Sequence, residues 1–252
     1  MPTITAELLP EIGAIRLTIA TTVALASLVR ADGNGTADVR VRQGGLAAPA
    51  AGSNMIHTDY EPAQGGVIYT ATDTAGASAQ VSVQFNLPSP WLLVPVLPNY
   101  SSQLQTVTAY SAKGQSRSTV HQPPGRPDPV VVLRSFGSKQ GTLGLWAGTH
   151  QAAQALYNTI TRGEVLMLRQ PEHLGQDMYF TAMDADIEVL AIAGSGTVWG
   201  VRLTYVQVGR PSDPLGAALG WTFASVSAAA GSFAELRTKY PTFEALRLNE
   251  PA

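Results

Sequence analysis

A single short helical pattern set inside a run of strand patterns constrains this chain more than any other feature. Residues 139–211 read as an entering strand (140–147), a helix (149–162), and strands at 164–169, 178–182, 186–192 and 198–208. In the last strand Val201, Leu203 and Tyr205 alternate with Arg202, Thr204 and Val206, the period of a half-buried strand. Gly194-Ser195-Gly196 turns the final hairpin. The helix carries its own punctuation. Thr149 can accept from backbone N–H groups of the first turn. Ala153, Leu156, Tyr157 and Ile160 make one apolar face. Arg162 suits the negative end of the helix dipole, and Gly163 the position after it. A helix this short needs a sheet to lie on. The region is therefore expected to be a small barrel or sandwich with one helix closing a side.

Residues 1–85 read as an all-β domain. Strands are expected at 14–19, 24–30, 37–42, 55–60, 67–72 and 78–85. Asp32-Gly33-Asn34-Gly35 is a turn, because Gly and Asn tolerate positive φ. Six or seven short strands at this spacing predict a β-sandwich of immunoglobulin or fibronectin type III type. The segment 59–69, DYEPAQGGVIY, resembles the late strands of fibronectin type III-like modules. The apolar run 12–29 is not a membrane span: Arg16 and three threonines interrupt it, and Ile15, Leu17 and Ile19 keep strand period. Glu7 and Glu11 precede it where a leader would carry basic residues. No membrane insertion is expected, and synthesis is expected to leave the protein in the cytoplasm where it is made.

Pro88, Pro90, Pro95 and Pro98 punctuate the junction at 86–98, which predicts an edge strand or linker there. The second domain then covers 86–211, and a proline-rich loop at 123–129 lies inside it, between strands at 115–120 and 130–134. Residues 212–252 form a short helical tail. Ser232-Phe233-Ala234-Glu235 is a capping box, Pro241 stops its helix, and Thr242 caps a last one at 243–248. Trp221, Phe223, Phe233, Tyr240 and Phe243 are the candidate interaction residues. Such a tail cannot bury its aromatics alone and must dock on its own body or on a neighbouring subunit.

Few residues suggest chemistry. Charged residues are 13% of the chain and the net charge is −2, so no chain-wide basic field points to nucleic acid. There is no cysteine, hence no disulfide or thiolate chemistry. The 32–38 segment places oxygens at alternate positions as calcium loops do, but lacks the twelfth-position glutamate, and a plain turn is the expectation. His57, His121, His150 and His173 show no metal-ligand spacing. His173 with Glu172 and Asp177 forms a polar loop. No G-x-S-x-G elbow occurs. Asp184, Asp186 and Glu188 alternate and should share one solvated face. Trp146 and Trp199 are expected in the core. The chain is therefore expected not to be an enzyme and to hold no metal or cofactor.

The stretch 141–211 resembles the β domain of siphophage distal-tail and minor tail proteins, especially those of phages infecting actinobacteria. The likeness rests on G-T-L-G-L-W, a helix of A-x-x-L-Y type, G-E-V-L-M-L-R-Q-P, D-M-Y-F and W-G-V-R-L-T-Y-V-Q-V-G-R-P. It is carried by Gly141, Leu143, Leu145, Leu168, Arg169, Met178, Tyr179, Trp199, Leu203, Val206 and Pro211. The tail W-T-F-A-S-V, then F-x-x-L-x-x-x-Y-P-T-F-E-A-L, is similar to the ending of such proteins, and P-W-L-L-V-P-V at 90–96 to the start of their domain.

The resemblance implies a distal-tail-like β-sandwich or barrel with one helix at 86–211; with the strand pattern of 1–85 and the tail of 212–252, the expected chain is mainly β, an N-terminal sandwich followed by that domain and a short helical tail. The resemblance also implies a structural part of the virion tail tip or baseplate. That part would be a homo-oligomeric ring of three-fold or six-fold symmetry, joining the tail tube to host-binding parts. Its neighbours would be the tail tube, the tail hub and other minor tail proteins. No catalytic residues come with the family. The alternative is a carbohydrate-binding adhesion module that holds host cell-wall glycan. A hydrolase acting on envelope polymer is a third class, for which no acid/base or metal constellation is legible.

Overall fold

The computed structural model describes residues 1–42, 54–173, 175–193, 196–213, 223–249 and 251. Among these residues the fold is mainly β, 46% strand against 17% helical. The first strands in order are β1 (Thr3–Leu9), β2 (Ala14–Ala20), β3 (Leu25–Asp32), β4 (Val39–Arg40), β5 (Met55–Asp59), β6 (Gly65–Asp73) and β7 (Ser78–Phe85). Then come β8 (Trp91–Leu93), β9 (Ser102–Gln103), β10 (Thr106–Tyr110), β11 (Thr119–His121), β12 (Val130–Val132) and β13 (Gln140–Gly148). Helix α1 (His150–Ile160) precedes β14 (Leu166–Arg169), β15 (Met178–Ala193) and β16 (Gly196–Gln207). Three short helices close the chain: α2 (Phe223–Ala229), α3 (Phe233–Lys239) and α4 (Phe243–Leu248).

By compactness the chain forms two units. The first takes Met1–Gln103, Met167–Asp177 and Pro211–Ala252; the second takes Leu104–Leu166 and Met178–Arg210.

The first unit is built on a β-sandwich. One sheet runs β1-β2-β5 and the other β4-β3-β6-β7. Strand parity explains the core. Ile15, Leu17 and Ile19 of β2 point inward, as do Val67, Tyr69 and Ala71 of β6, and Leu28 and Phe85 join them. Two differences from expectation stand out. Thr3–Leu9 adds a strand ahead of the first one expected, pairing along β2 from Thr3↔Ala20 to Leu9↔Ala14. β4 shrinks to two residues, Val39–Arg40, where the left-handed Asp38 (φ 55°) sits before it. The expected loop at 44–53 lies outside the described residues.

The proline-bearing junction is not an edge or linker. β8 is a buried central strand: Leu92 pairs with Ser102 of β9 on one side and with Leu168 of β14 on the other. The prolines flank Trp91–Leu93 instead of interrupting it, so its backbone N–H groups remain available to both neighbours.

In the second unit four antiparallel strands run in the order β10-β13-β16-β15. β15 is one continuous strand of 16 residues, where two were expected. A register shift between Ala182 and Asp184 absorbs the polar interruption without ending the pairing. Ala193 and Gly196 pair across residues 194 and 195, which lie outside the described residues. Helix α1 starts where expected. The Thr149 hydroxyl accepts from Ala152 N at 3.2 Å, and Ala153, Leu156 and Ile160 are buried. Gly163 has φ 83°, in the left-handed region its position after the helix requires.

Beyond the sheet's end the β10–β13 ribbon continues as an arm, residues 111–139. Bridges Lys113↔Gln140 and Ser116↔Phe136 carry it outward to the β11–β12 pair. The proline cluster at 123–129 lies at its tip. At the root, a Cβ on Gly141 would come within 1.9 Å of the Ser111 carbonyl oxygen, so the two strands approach too closely there for any side chain.

Candidate interaction surfaces

The tail residues expected to make contacts separate into two groups. Phe223, Phe233 and Phe243 each begin a helix and are 93%, 92% and 79% exposed. Tyr240 is buried instead, and its hydroxyl donates to Asn249 Oδ1 at 2.9 Å. Burial pushes its phenol pKa up, and the nearby Arg16 guanidinium opposes the shift. Tyr240, Lys239, Asn249 and Ala229 line a cleft of about 220 Å³ with Arg16 and Ile56 of the sandwich, so this part of the tail docks on its own unit. Trp221 lies outside the described residues. Ser232 Oγ accepts from Glu235 N at 3.2 Å, as the capping box predicts; Glu235 Oε2 accepts from Gly231 N at 2.8 Å, one residue before the usual partner. Thr242 caps α4 through Ala245 N at 3.1 Å.

A cluster of buried charges holds the first unit together. Arg30 sits opposite Tyr69 on paired strands. Its Nη1 donates to Asp59 Oδ2 at 2.6 Å, and Tyr69 donates to the same oxygen at 2.9 Å. Its Nε lies 2.9 Å from Asp32 Oδ1. Arg42 forks onto Glu61 at 3.2 and 3.3 Å, and donates to the Asp213 carbonyl and, at 2.7 Å, to the Pro211 carbonyl. Arg169 donates to the carbonyls of Gly13 (2.6 Å), Tyr60 (2.8 Å) and Pro62 (2.6 Å), and its guanidinium lies 5.1 Å from the centre of the Phe85 ring. The guanidinium groups of Arg30 and Arg42 thus meet the carboxylates of Asp32, Asp59 and Glu61 in the interior, while Arg169 meets carbonyls.

The electrostatics follow from that geometry. Burial alone would raise the Asp59 pKa, but the Arg30 charge and the hydrogen bonds from Arg30, Glu61 N and Tyr69 outweigh it and hold the carboxyl below its ordinary value. Tyr69 is pushed up by burial and by the Asp59 charge. Arg169, with carbonyls in place of a carboxylate fork, is lowered to about 10 by burial, which Asp177 and Asp59 offset only in part. Burial likewise raises Asp177, against a hydrogen bond from Gln170 N at 2.7 Å.

These positions were missed at the level of sequence, yet a signal existed. Leu28, Arg30 and Asp32 share the inward parity of β3, whereas the run Leu-Met-Leu-Arg that ends in Arg169 is buried without such a sign. A charge on an inward position predicts a buried partner.

The second unit presents the opposite arrangement. Its arm is exposed almost throughout. Val120 pairs with Val131 on one face of the ribbon, while Val130 and Val132 occupy the other. Leu133 is 83% and Phe136 67% exposed. The arm holds Lys113, Arg117, Arg126, Arg134 and Lys139 against Asp128 alone, a net charge of +4, which leaves −6 on the remaining residues. On the sheet, Asp184, Asp186 and Glu188 pair with Thr204, Arg202 and Gly200 and so share one face, as expected. Asp184 and Asp186 are exposed; Glu188 meets Arg202 at 3.3 Å.

Trp146 and Trp199 are half-buried, not core residues. Trp199 takes the edge of His150 at 4.7 Å between ring centres, which explains that histidine structurally. Asp32 does not serve a calcium loop, because its oxygens already accept from Arg30 and from Ala63 N. His173 is exposed. Among the described residues no three of His, Asp and Glu come together to hold a metal ion, and no helix is long and apolar enough to cross a membrane. No protein-family model matches the chain, and no curated protein matches it.

Proposed function

We propose that this protein is a structural component of a bacteriophage tail tip or baseplate. It is a minor-tail or distal-tail protein whose copies form a ring that links the tail tube to host-binding parts. The reading rests on the sequence likeness across residues 141–211 and is supported by one structural observation: the exposed arm. A lone two-stranded ribbon is marginally stable in water. This one also carries valines on both faces, Leu133 and Phe136, a cost that makes sense in a chain whose work is assembly. The exposed Phe223, Phe233 and Phe243 supply a second surface for the same work.

Mass spectrometry of density-purified particles of the encoding phage tests the proposal. The protein is expected among the tail components at a stoichiometry of a few copies per particle. Its absence from particles that contain all other structural proteins would overturn the proposal, and retention on host cell walls would then favour the glycan-binding alternative.

A further inference from the structure

We infer that the arm of one copy docks on the acidic face of the β13–β16–β15 sheet of a second copy. The inference takes from the proposed function only that copies of the chain assemble. Three observations carry it. First, the arm needs a surface: it carries exposed valines on both faces, and its pairing is confined to its own two strands. Second, the charges are complementary within one unit. Arg117, Arg126 and Arg134 stand on the arm, with no carboxylate partner among the described residues. Asp184 and Asp186 stand exposed on β15, with Arg202 opposite Asp186 and engaged by Glu188, so the face keeps a net negative charge; the exposed Met183 lies beside them to meet the arm's valines. Third, Ser111, Ala112 and Lys113 at the arm's root line a cleft with Met183 and Thr204, and beyond that root the arm is exposed instead of lying on its own sheet. It continues the β10–β13 ribbon past the sheet's end, reaching up to about 50 Å at the rise of a β-strand. A donor patch and a different acceptor patch on the same chain make a head-to-tail contact, which propagates and closes into a ring when the rotation allows. Like charges facing each other there would cost affinity, so the pairing also fixes register.

Sedimentation velocity on the full chain tests this with a charge exchange. One variant carries Arg117→Glu and Arg134→Glu; the other carries Asp184→Lys and Asp186→Lys. The wild type is expected to self-associate at micromolar concentration, and each variant alone to weaken self-association about tenfold or more. Mixing the two variants is expected to restore assembly, because each arm then meets the opposite charge on its neighbour's sheet. A misfolded variant could not be rescued in that way, and circular dichroism of each variant checks its fold beforehand. A wild type that stays monomeric, variants that associate as the wild type does, or a mixture that stays dissociated would each overturn the inference. So would a monomer whose arm instead retains an anionic glycan or nucleic acid. None of these outcomes removes the protein from the particle, so the proposed function fails or stands by the separate particle analysis.

Discussion

Arg30, Arg42 and Arg169 lie in the interior of the first unit; Arg117, Arg126 and Arg134 stand in water on the arm of the second. The same side chain thus serves two ends. In the interior each guanidinium ties together segments far apart in sequence: Arg30 reaches Asp59, Arg42 reaches residues 211 and 213, and Arg169 reaches residues 13, 60 and 62. On the arm the guanidinium groups are exposed and meet no carboxylate among the described residues. Arginine inside is a fastener and carries stability; arginine outside is available to a partner and carries none.

The largest expected effect is Arg169→Met. It removes the donor from three buried carbonyls at once and should cost about 3–5 kcal/mol, read as a fall in the urea midpoint. A cost below about 1 kcal/mol would dissolve the contrast. Asp59→Asn comes next, at about 3 kcal/mol, since it leaves the Arg30 charge half-matched and weakens the Tyr69 bond.

The same carboxylate sets a pH dependence. Its folded pKa lies below the ordinary value of about 4, so its contribution is complete above that value and is lost as pH falls through the folded pKa. Asp177, raised by burial, works in the other direction and favours the folded state as pH falls. Denaturation midpoints between pH 7 and pH 3 should therefore fall more for the wild type than for Asp59→Asn. Thr149→Ala, an ordinary exposed cap, sets the middle of the scale at about 1 kcal/mol. Smallest of all, Arg117→Ala with Arg134→Ala should leave the unfolding midpoint of the monomer within about 0.5 kcal/mol of the wild type.

Much of this architecture was legible in the sequence because local rules decide it. The α1 boundaries follow from Thr149 and an apolar stripe, the tail caps from Ser232 and Thr242, and the sandwich from inward alternation at Ile15, Leu17 and Ile19. What was not legible depends on distant partners. Nothing local says that prolines around Trp91 flank a central strand, since β14 comes more than seventy residues later. Nor does composition separate Arg169 from Arg134; only the tertiary position of each decides whether it is a fastener or a free charge. The aromatic tail was read as one surface, whereas Tyr240 turns inward and three phenylalanines turn out.

Gold-labelled antibody against the folded protein, applied under the electron microscope to phage particles whose genome encodes this chain, tests the proposed tail-tip role. Label confined to the distal end of the tail is the predicted result. Particles without label, in a preparation where the same antibody detects the purified protein, would contradict it.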